Sequence, residues 1–283
     1  MLQTVHTIEA LRNAVSLAKT SGKRIVFVPT MGNLHEGHFS LIQEAKAHGD
    51  FIVASIFVNP MQFGENEDLD AYPRTLDADS QGLEKFGCQL LFAPAANEIY
   101  PNGTQSETCV NVPGLSELHC GSSRPGHFTG VATVVCKLFN MVQPDCAIFG
   151  QKDFQQLAVI RKMVSDLCMP IDVIGVPTSR EANGLARSSR NGYLNADQKA
   201  LAAQIYATLT FCKNSLVDDV HSLAELKIEA QQQLESQGFK VDYLNFACPT
   251  TLAISQEGDR NIVILLAAWM GTTRLIDNIV VTR

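Results

Sequence analysis

The chain has 283 residues, of which 46% are hydrophobic and 18% are charged. This balance is typical of a globular protein rather than a disordered one, and the length suits one large domain or two modest ones. The formal net charge of −7 argues against a nucleic-acid-binding groove, because phosphate backbones select basic surfaces. It does not exclude a small anionic ligand, which a few local cations and backbone N–H groups can hold.

Three features of the sequence bear on its location. Residues 1–17 carry polar side chains throughout, so they predict an amphipathic helix rather than a secretory signal. The longest apolar run, residues 262–270, is too short to span a bilayer. The eight cysteines form no Cys-x-x-Cys pair, which argues against a zinc knuckle and favours reduced packing residues. We therefore expect a cytoplasmic protein with no membrane partner.

Apolar strand-like runs alternate with helical patterns over the first 176 residues. Strands are predicted at 24–30, 51–59, 90–93, 146–150 and 171–176, and helices at 39–48, 80–86, 130–142 and 154–167. Strands separated by helices of this length imply βαβ units and a parallel, doubly wound sheet. Ligands of such sheets bind beyond the carboxyl ends of the strands. That rule places the loops at 30–38, 59–64 and 149–153 along one edge.

The pattern changes after about residue 178. Helices are predicted at 196–216 and 222–238, and short strands near 241–247, 250–255, 261–268 and 273–282. The predicted fold class is therefore α/β, with a Rossmann-like sheet over residues 1–178 and a smaller α+β C-terminal domain over residues 179–283.

The strongest local motif follows the strand at 24–30. Residues 29–38 read Pro-Thr-Met-Gly-Asn-Leu-His-Glu-Gly-His. Gly37 permits close approach of the backbone to a ligand, and the following helix N-terminus offers N–H groups and a favourable dipole for phosphate. His35 and His38 can both donate hydrogen bonds to phosphoryl oxygens. Two alternatives are a metal pair, for which no third ligand is evident nearby, and two capping histidines.

A second motif opens the helix predicted at 154–167. Residues 149–156 read Phe-Gly-Gln-Lys-Asp-Phe-Gln-Gln. Lys152 is a point cation suited to a phosphate, Asp153 could cap the helix or contact a ribose, and Gln156 follows one turn later. The alternative is an ordinary Asp-capped helix with a solvated lysine, which would be preferred if this motif stood alone.

Two further runs lie in predicted loops. Residues 187–190 read Arg-Ser-Ser-Arg, and two guanidinium groups and two hydroxyls in one turn suit a polyphosphate, although a solvated basic loop has the same composition. Asn59 ends a predicted strand, and Gln62 follows it in a loop. An amide at that position can both donate and accept hydrogen bonds, which suits a hydroxy acid.

Taken together, these runs carry a family resemblance. Residues 29–38 resemble the His-x-Gly-His signature of the nucleotidyltransferase superfamily, which includes the class I aminoacyl-tRNA synthetases. The finer pattern resembles the pantoate–β-alanine ligase (pantothenate synthetase) family. The supporting runs lie at 55–63, 72–75, 98–103, 124–130, 149–156, 188–191 and 267–278. The resemblance thus extends over nearly the whole chain.

The resemblance implies an ATP-dependent ligase that condenses pantoate with β-alanine through a pantoyl adenylate, giving pantothenate, AMP and pyrophosphate. It implies that His38 is the proton donor, His35 its partner on the phosphates and Lys152 a catalytic cation. The implied ATP-binding residues are Met31, Gly32, Asn33, Leu34, His35, Glu36, Gly37, His38, Gly150, Gln151, Lys152, Asp153, Ser179, Arg187, Ser188, Ser189 and Arg190. Because such an activated intermediate must be kept from water, we expect the C-terminal domain to act as a lid over the bound substrates.

The resemblance gives roles to four more residues and suggests an assembly. Gln62 and Gln156 are implied to hold pantoate, with Gln62 also contacting β-alanine, and Asn59 is implied to lie in the same substrate-binding pocket. Asp79 is implied to hold Mg²⁺ on ATP. A homodimer is expected, in which the apolar residues 51–58 could belong either to an interface or to the core.

Three positions depart from the family pattern, and two other functions stay open. Gln151 replaces the usual Glu, Arg187 replaces Leu or Met, and Ala78 replaces an acidic residue. One rival is a nucleotidyltransferase that releases pyrophosphate but never AMP, which leaves Gln62 and Gln156 without a role. The other is a nucleotide-binding scaffold without activity, which the departures at Gln151 and Arg187 alone favour.

Overall fold

The chain forms two compact units in a computed structural model that describes residues 1–64, 69–219 and 221–283. Unit 1 comprises Met1–Glu117, Gly121–Gln151 and Gln156–Pro177, and unit 2 comprises Leu118–Cys120, Lys152–Gln155 and Thr178–Arg283. Unit 2 therefore includes two short segments that precede residue 178.

Unit 1 is built on a six-stranded parallel sheet. Its strands are β1 (Gln3–Val5), β2 (Ile25–Thr30), β3 (Phe51–Ile56), β4 (Leu90–Phe92), β5 (Cys146–Gly150) and β6 (Asp172–Val176). Every neighbouring pair in the order β1-β4-β3-β2-β5-β6 is parallel, which confirms the predicted α/β sheet. The strand order changes direction between β2 and β5, the position where ligands of such sheets bind. Because β3 lies inside the sheet and residues 52–55 are buried, this strand belongs to the core.

Helices connect these strands. They are α1 (Ile8–Thr20), α2 (Glu36–Ala45), α3 (Leu76–Lys85), α4 (Ala96–Ile99), α5 (Cys120–Ser123), α6 (His127–Val142) and α7 (Phe154–Asp166). The predicted helix over residues 1–17 is wrong at its start, because Gln3–Val5 pairs with Leu90–Phe92 as a strand. The Thr7 side chain accepts a hydrogen bond from Ala10 N and caps α1, so the helix begins after it.

Unit 2 packs helices on a three-stranded antiparallel sheet. Its elements are α8 (Ala196–Ala202), α9 (Gln204–Val217), α10 (Leu223–Ser236), β7 (Lys240–Ala247), β8 (Asn261–Met270) and β9 (Thr273–Thr282). Leu209, Leu226 and Ile264 are fully buried in one hydrophobic cluster. This confirms the predicted α+β domain. The strand predicted at 250–255 is wrong, because the chain turns there, with Leu252 at φ +57°.

The composition predicted no bilayer span and eight packing cysteines. Among the described residues, no helix combines the length and the apolar character needed to cross a membrane. All eight cysteines are free of disulfides, but Cys109 and Cys168 are exposed. The packing prediction is therefore wrong for these two side chains.

Candidate active site

The loop that follows β2 has a backbone that few residue types adopt readily. Gly32 has φ +84° and Asn33 has φ +52°, the left-handed region that glycine and asparagine tolerate best. A Cβ atom on Gly32 would lie 3.0 Å from Ile56 Cγ2 and 3.3 Å from Asp79 Oδ2. The Met-Gly-Asn run therefore permits the close turn from β2 into α2.

A buried carboxylate from α3 holds this loop. Asp79 is 3% exposed, and its Oδ2 accepts a hydrogen bond from Asn33 N at 2.9 Å, while Oδ1 accepts from Leu34 N at 2.8 Å. Thr75 Oγ1 donates to the same Oδ1 at 3.1 Å. Two backbone N–H groups thus have a charged acceptor, a contact that the sequence did not predict.

His35 and His38 meet at the N-terminus of α2, where Glu36 is exposed. Gly37 N donates to His35 Nδ1 at 3.1 Å, and His35 N donates to His38 Nδ1 at 3.3 Å. The ring centroids are 4.2 Å apart. Because a backbone N–H only donates, both Nδ1 atoms are acceptors, and each neutral ring carries its proton on Nε2. The capping alternative is confirmed, and Nε2–H is the donor that each ring can present to an anion.

The protein groups at this site do not fit a resident metal ion. Within the described part of the chain, no three His, Cys, Asp or Glu side chains are arranged to hold one. The metal-pair alternative for His35 and His38 has no support there. Asp79 also fits Mg²⁺ poorly, because both of its carboxylate oxygens already accept hydrogen bonds from protein groups.

The amides of Asn59 and Gln62 form one buried network. Asn59 Oδ1 accepts from Met61 N at 3.2 Å, and Asn59 Nδ2 donates to Gly130 O at 3.1 Å. These two backbone groups determine which end of the Asn59 amide is oxygen. Asn59 Nδ2 also donates to Gln62 Oε1 at 3.2 Å, and Gln62 Nε2 lies 2.8 Å from Met31 Sδ. Gln62 therefore turns its hydrogen-bond donor toward Met31.

Three side chains without a predicted role support this network. Tyr100 Oη donates to Asn59 Oδ1 at 2.8 Å, and burial raises the pKa of Tyr100 above its usual range, which keeps the donor neutral. His127 Nδ1 lies 2.7 Å from Gln62 O, and Arg124 Nη1 lies 2.9 Å from His127 Nε2. Because the carbonyl only accepts and the guanidinium only donates, His127 is neutral with its proton on Nδ1.

The segment after β5 brings three more of the predicted residues into unit 1. Gly150 ends β5, and Gln151 Nε2 donates to Gly175 O at 3.2 Å. A glutamate could not donate this bond, so the amide at position 151 ties the ends of β5 and β6 together. Gln156 is half-buried in the first turn of α7.

In unit 2, β9 holds the main chain of Lys152. Asn278 Nδ2 donates to Lys152 O at 2.8 Å. The Lys152 ammonium lies 3.3 Å from Asp153 Oδ2, and 20% of the lysine side chain is exposed. The lysine is therefore mostly buried beside a carboxylate, unlike the solvated lysine of the alternative interpretation.

The Arg-Ser-Ser-Arg turn in unit 2 is supported by its own neighbours. Arg187 N donates to Ser179 O at 2.9 Å and closes a hairpin. Ser188 Oγ accepts from Arg190 N at 3.3 Å, and the buried Asn191 amide donates back to the hairpin at 3.1 Å. Residues 187–190, including Ser189, are half-buried. The structure thus brings Ser179 and the turn together.

A buried ion pair anchors the start of that hairpin. Arg180 donates to both carboxylate oxygens of Asp277, whose side chain is 2% exposed. Burial raises the pKa of Asp277, and the guanidinium opposes that rise. The Arg180 guanidinium also stacks 3.6 Å from the Tyr206 ring centroid. Asp277 and the adjacent Asn278 therefore support the hairpin and Lys152 together.

Comparison with known proteins identifies the family. The model of the pantoate–β-alanine ligase family matches residues 3–280. The chain belongs to the pantoate–β-alanine ligase family. The pantothenate synthetase of Pseudomonas fluorescens strain Pf0-1 is 58% identical over 98% of this chain and 97% of that protein. The pantothenate synthetase of Shewanella halifaxensis strain HAW-EB4 is 56% identical over 99% and 98%. The chain is thus an enzyme, a ligase of this family.

Solved structures share the fold of this ligase. Pantothenate synthetase from Thermus thermophilus is 43% identical, with a TM-score of 0.92 over 98% of this chain and 99% of that one. Pantoate-β-alanine ligase from Francisella tularensis, complexed with β-γ ATP and β-alanine, is 34% identical, with a TM-score of 0.81 over 99% and 97%. These matches extend through both units of the ligase.

Proposed function

We propose that this ligase uses ATP to condense pantoate with β-alanine through a pantoyl adenylate, releasing pyrophosphate and then AMP. The observation that carries the proposal is the 2.8 Å contact between Gln62 Nε2 and Met31 Sδ. It joins an amide suited to a hydroxy acid to the loop that leads to His35 and His38. The Francisella ligase, complexed with an ATP compound and β-alanine, supports the same choice of substrates.

The proposed ATP-binding residues fall in both units. In unit 1 they are residues 31–38, Gly150 and Gln151, and in unit 2 they are Lys152, Asp153, Ser179 and residues 187–190. The support in unit 1 is the pair of Nε2–H donors at a helix N-terminus. The support in unit 2 is a lysine and two arginines beside hydroxyl groups.

In the first proposed step, a pantoate carboxylate oxygen attacks the α-phosphorus, the bond to the β-phosphate breaks and pyrophosphate leaves. A carboxylate with a pKa of about 4 is already ionised at neutral pH, so this step needs no general base. It needs alignment, which we assign to the Nε2–H donors of His35 and His38, and neutralised charge, which we assign to Lys152. Gln62, with its donor turned toward Met31, would bind an oxygen of pantoate, and Gln156 would assist it.

In the second proposed step, the amine of β-alanine attacks the acyl carbon, the bond to the phosphate oxygen breaks and AMP leaves. An alkylammonium has a pKa of about 10, so it must lose a proton first, directly or through water. We expect the rate of this step from preformed adenylate to rise with pH between about 6 and 9. A flat profile over that range contradicts the deprotonation step.

Magnesium enters this proposal with the nucleotide, as the substrate MgATP. Among the described residues, no three His, Cys, Asp or Glu side chains form a metal-binding group, and we assign the ion to the triphosphate and water. No step is assigned to a protein–metal bond.

We also propose a homodimer, which rests on the family resemblance. β3 is an interior strand with buried residues, so residues 51–58 do not provide an exposed edge for the interface. Light scattering at micromolar concentration should give twice the mass of one chain, and a single-chain mass contradicts the dimer.

The central experiment follows pyrophosphate and AMP separately. The protein is incubated with MgATP and pantoate, with and without β-alanine. We expect enzyme-bound pyrophosphate formation with pantoate alone and AMP release only after β-alanine is added. Pyrophosphate without AMP under both conditions would indicate a nucleotidyltransferase with another acceptor. ATP binding without any product would indicate a nucleotide-binding scaffold.

A further inference from the structure

We propose that Asp79 is a positioning residue that holds the nucleotide loop, residues 31–34, and is not a magnesium ligand. Through this loop it sets the rings of His35 and His38. The inference rests on the proposed binding of ATP at that loop.

The contacts run continuously from α3 to the histidines. Asp79 accepts hydrogen bonds from Asn33 N and Leu34 N at 2.9 and 2.8 Å. Leu34 directly precedes His35, whose own N–H bonds His38 Nδ1 at 3.3 Å. A displacement of the loop therefore moves the residue that caps α2 and the bond that orients the second ring.

The nucleotide loop borders a cavity on one side. A cavity of about 340 Å³ borders Met31 and Gly32 and is also lined by Thr75 and Asp79. Asn33 keeps a left-handed conformation at φ +52°, which non-glycine residues adopt at a cost that their surroundings must offset. The hydrogen bond from Asn33 N to the Asp79 carboxylate contributes to that offset.

The same geometry argues against a metal ligand. Asp79 Oδ1 accepts two hydrogen bonds, Oδ2 accepts one, and the residue is 3% exposed. Binding of Mg²⁺ would therefore compete with three protein donors for the same two oxygens. Asp77, in the first turn of the same helix, is exposed and serves as a matched control.

The experiment compares ATP binding with and without the metal. Asp79→Asn keeps the size but replaces one acceptor oxygen with an NH₂ group that cannot accept from a backbone N–H. Calorimetric titration with ATP should show an affinity loss of about tenfold in both Mg²⁺ and EDTA. Asp77→Asn should show none. A loss confined to Mg²⁺, or no loss in either buffer, overturns the inference.

Hydrogen exchange tests the same contact without any nucleotide. Amides 33 and 34 should exchange faster in Asp79→Asn, faster to a smaller degree in Thr75→Val, and unchanged in Asp77→Asn. The threonine variant keeps the carboxylate, so it reports on the contact even if Asp79→Asn does not fold. Unchanged exchange in both variants overturns the positioning role. If the wild type binds no ATP while exchange responds as expected, the proposed function fails and the loop contact stands.

Discussion

The two units support their proposed ATP-binding segments in different ways. In unit 1, His35 and His38 cap α2 with bonds that span two and three residues, and Asp79 adds two bonds to the loop before them. In unit 2, the hairpin and Lys152 depend on two adjacent residues of β9. Asp277 and Asn278 lie 97 and 126 positions along the chain from their partners.

This difference predicts whether a substitution changes the activity or the stability of the protein. A segment that caps its own helix can lose a functional atom and keep its conformation. A segment that depends on a buried ion pair loses its support as soon as one partner is removed. We therefore expect substitutions of His35 and His38 in unit 1 to change activity first. Substitutions at the Arg180–Asp277 ion pair, the unit 2 anchor, should change stability first.

The largest expected effect is at the unit 2 anchor. Arg180→Met leaves the buried Asp277 carboxylate without its partner, which should cost about 3–5 kcal/mol of unfolding free energy. Denaturant unfolding of the full chain measures this. Arg24→Met breaks a surface pair whose side chains are 49% and 72% exposed, and it should change stability little. Equal effects of the two substitutions would remove the distinction between the units.

The next effect separates the two roles of a unit 1 histidine. His38→Asn keeps an acceptor near the Nδ1 position, so the cap on α2 is retained, but it removes Nε2–H. We expect adenylate formation to slow by about 10²–10³-fold, with little change in melting temperature. Rapid-quench measurement of pyrophosphate gives the rate. Near-normal activity in a stable variant would mean that this ring serves the cap alone.

A smaller effect is expected at the buried amides of unit 1. Tyr100→Phe removes the donor to Asn59 Oδ1, and one lost hydrogen bond is worth about 1 kcal/mol, or about fivefold. The KM for pantoate should rise by that factor, while the KM for ATP should stay unchanged. Steady-state kinetics with each substrate varied in turn checks the split. An equal rise in both constants would show that Tyr100 supports the fold rather than the Gln62 amide.

The smallest effect concerns pH and unit 2. His119 Nε2 bonds Leu252 O at 2.7 Å, and burial lowers the pKa of His119. As the pH falls, His119 is therefore protonated in the unfolded chain before it is protonated in the folded one. This titration leaves the free energy of unfolding unchanged above a pH of about 6.5 and lowers it as the pH falls further, by at most about 1.4 kcal/mol per pH unit.

The variant His119→Gln isolates that titration. Its amide can still donate to Leu252 O but does not titrate. Unfolding free energies between pH 7.5 and 5 should converge for the two proteins as the pH falls. A difference that stays constant over this range contradicts the assignment.

The parts of the fold that the sequence predicted are those with local signals. β2 is buried on both faces and reads as a continuous apolar run. β1 has three residues, two of them exposed, and exists because it pairs with β4. Residues 250–255 have strand-like composition, but the positive φ of Leu252 ends any extended run. Neither feature has a periodic pattern that could reveal it.

The site residues that could be predicted are likewise those in local sequence motifs. The two histidines, Lys152 and the Arg-Ser-Ser-Arg turn lie in short motifs and could be selected from the sequence. Asp79 could be selected as an acid but not as the acceptor of loop N–H groups, because that contact forms only when α3 packs against α2. Asp277 lies in a strand that reads as ordinary β structure, and its partner is distant in sequence.

The most direct test of the account follows one oxygen atom. Pantoate labelled with ¹⁸O in its carboxylate is converted with MgATP and β-alanine, and AMP and pyrophosphate are analysed by mass spectrometry. Attack on the α-phosphorus leaves one labelled oxygen on AMP when the amide forms, so the account predicts AMP with a single ¹⁸O and unlabelled pyrophosphate. Unlabelled AMP would contradict the acyl adenylate and the roles assigned to the loop around it.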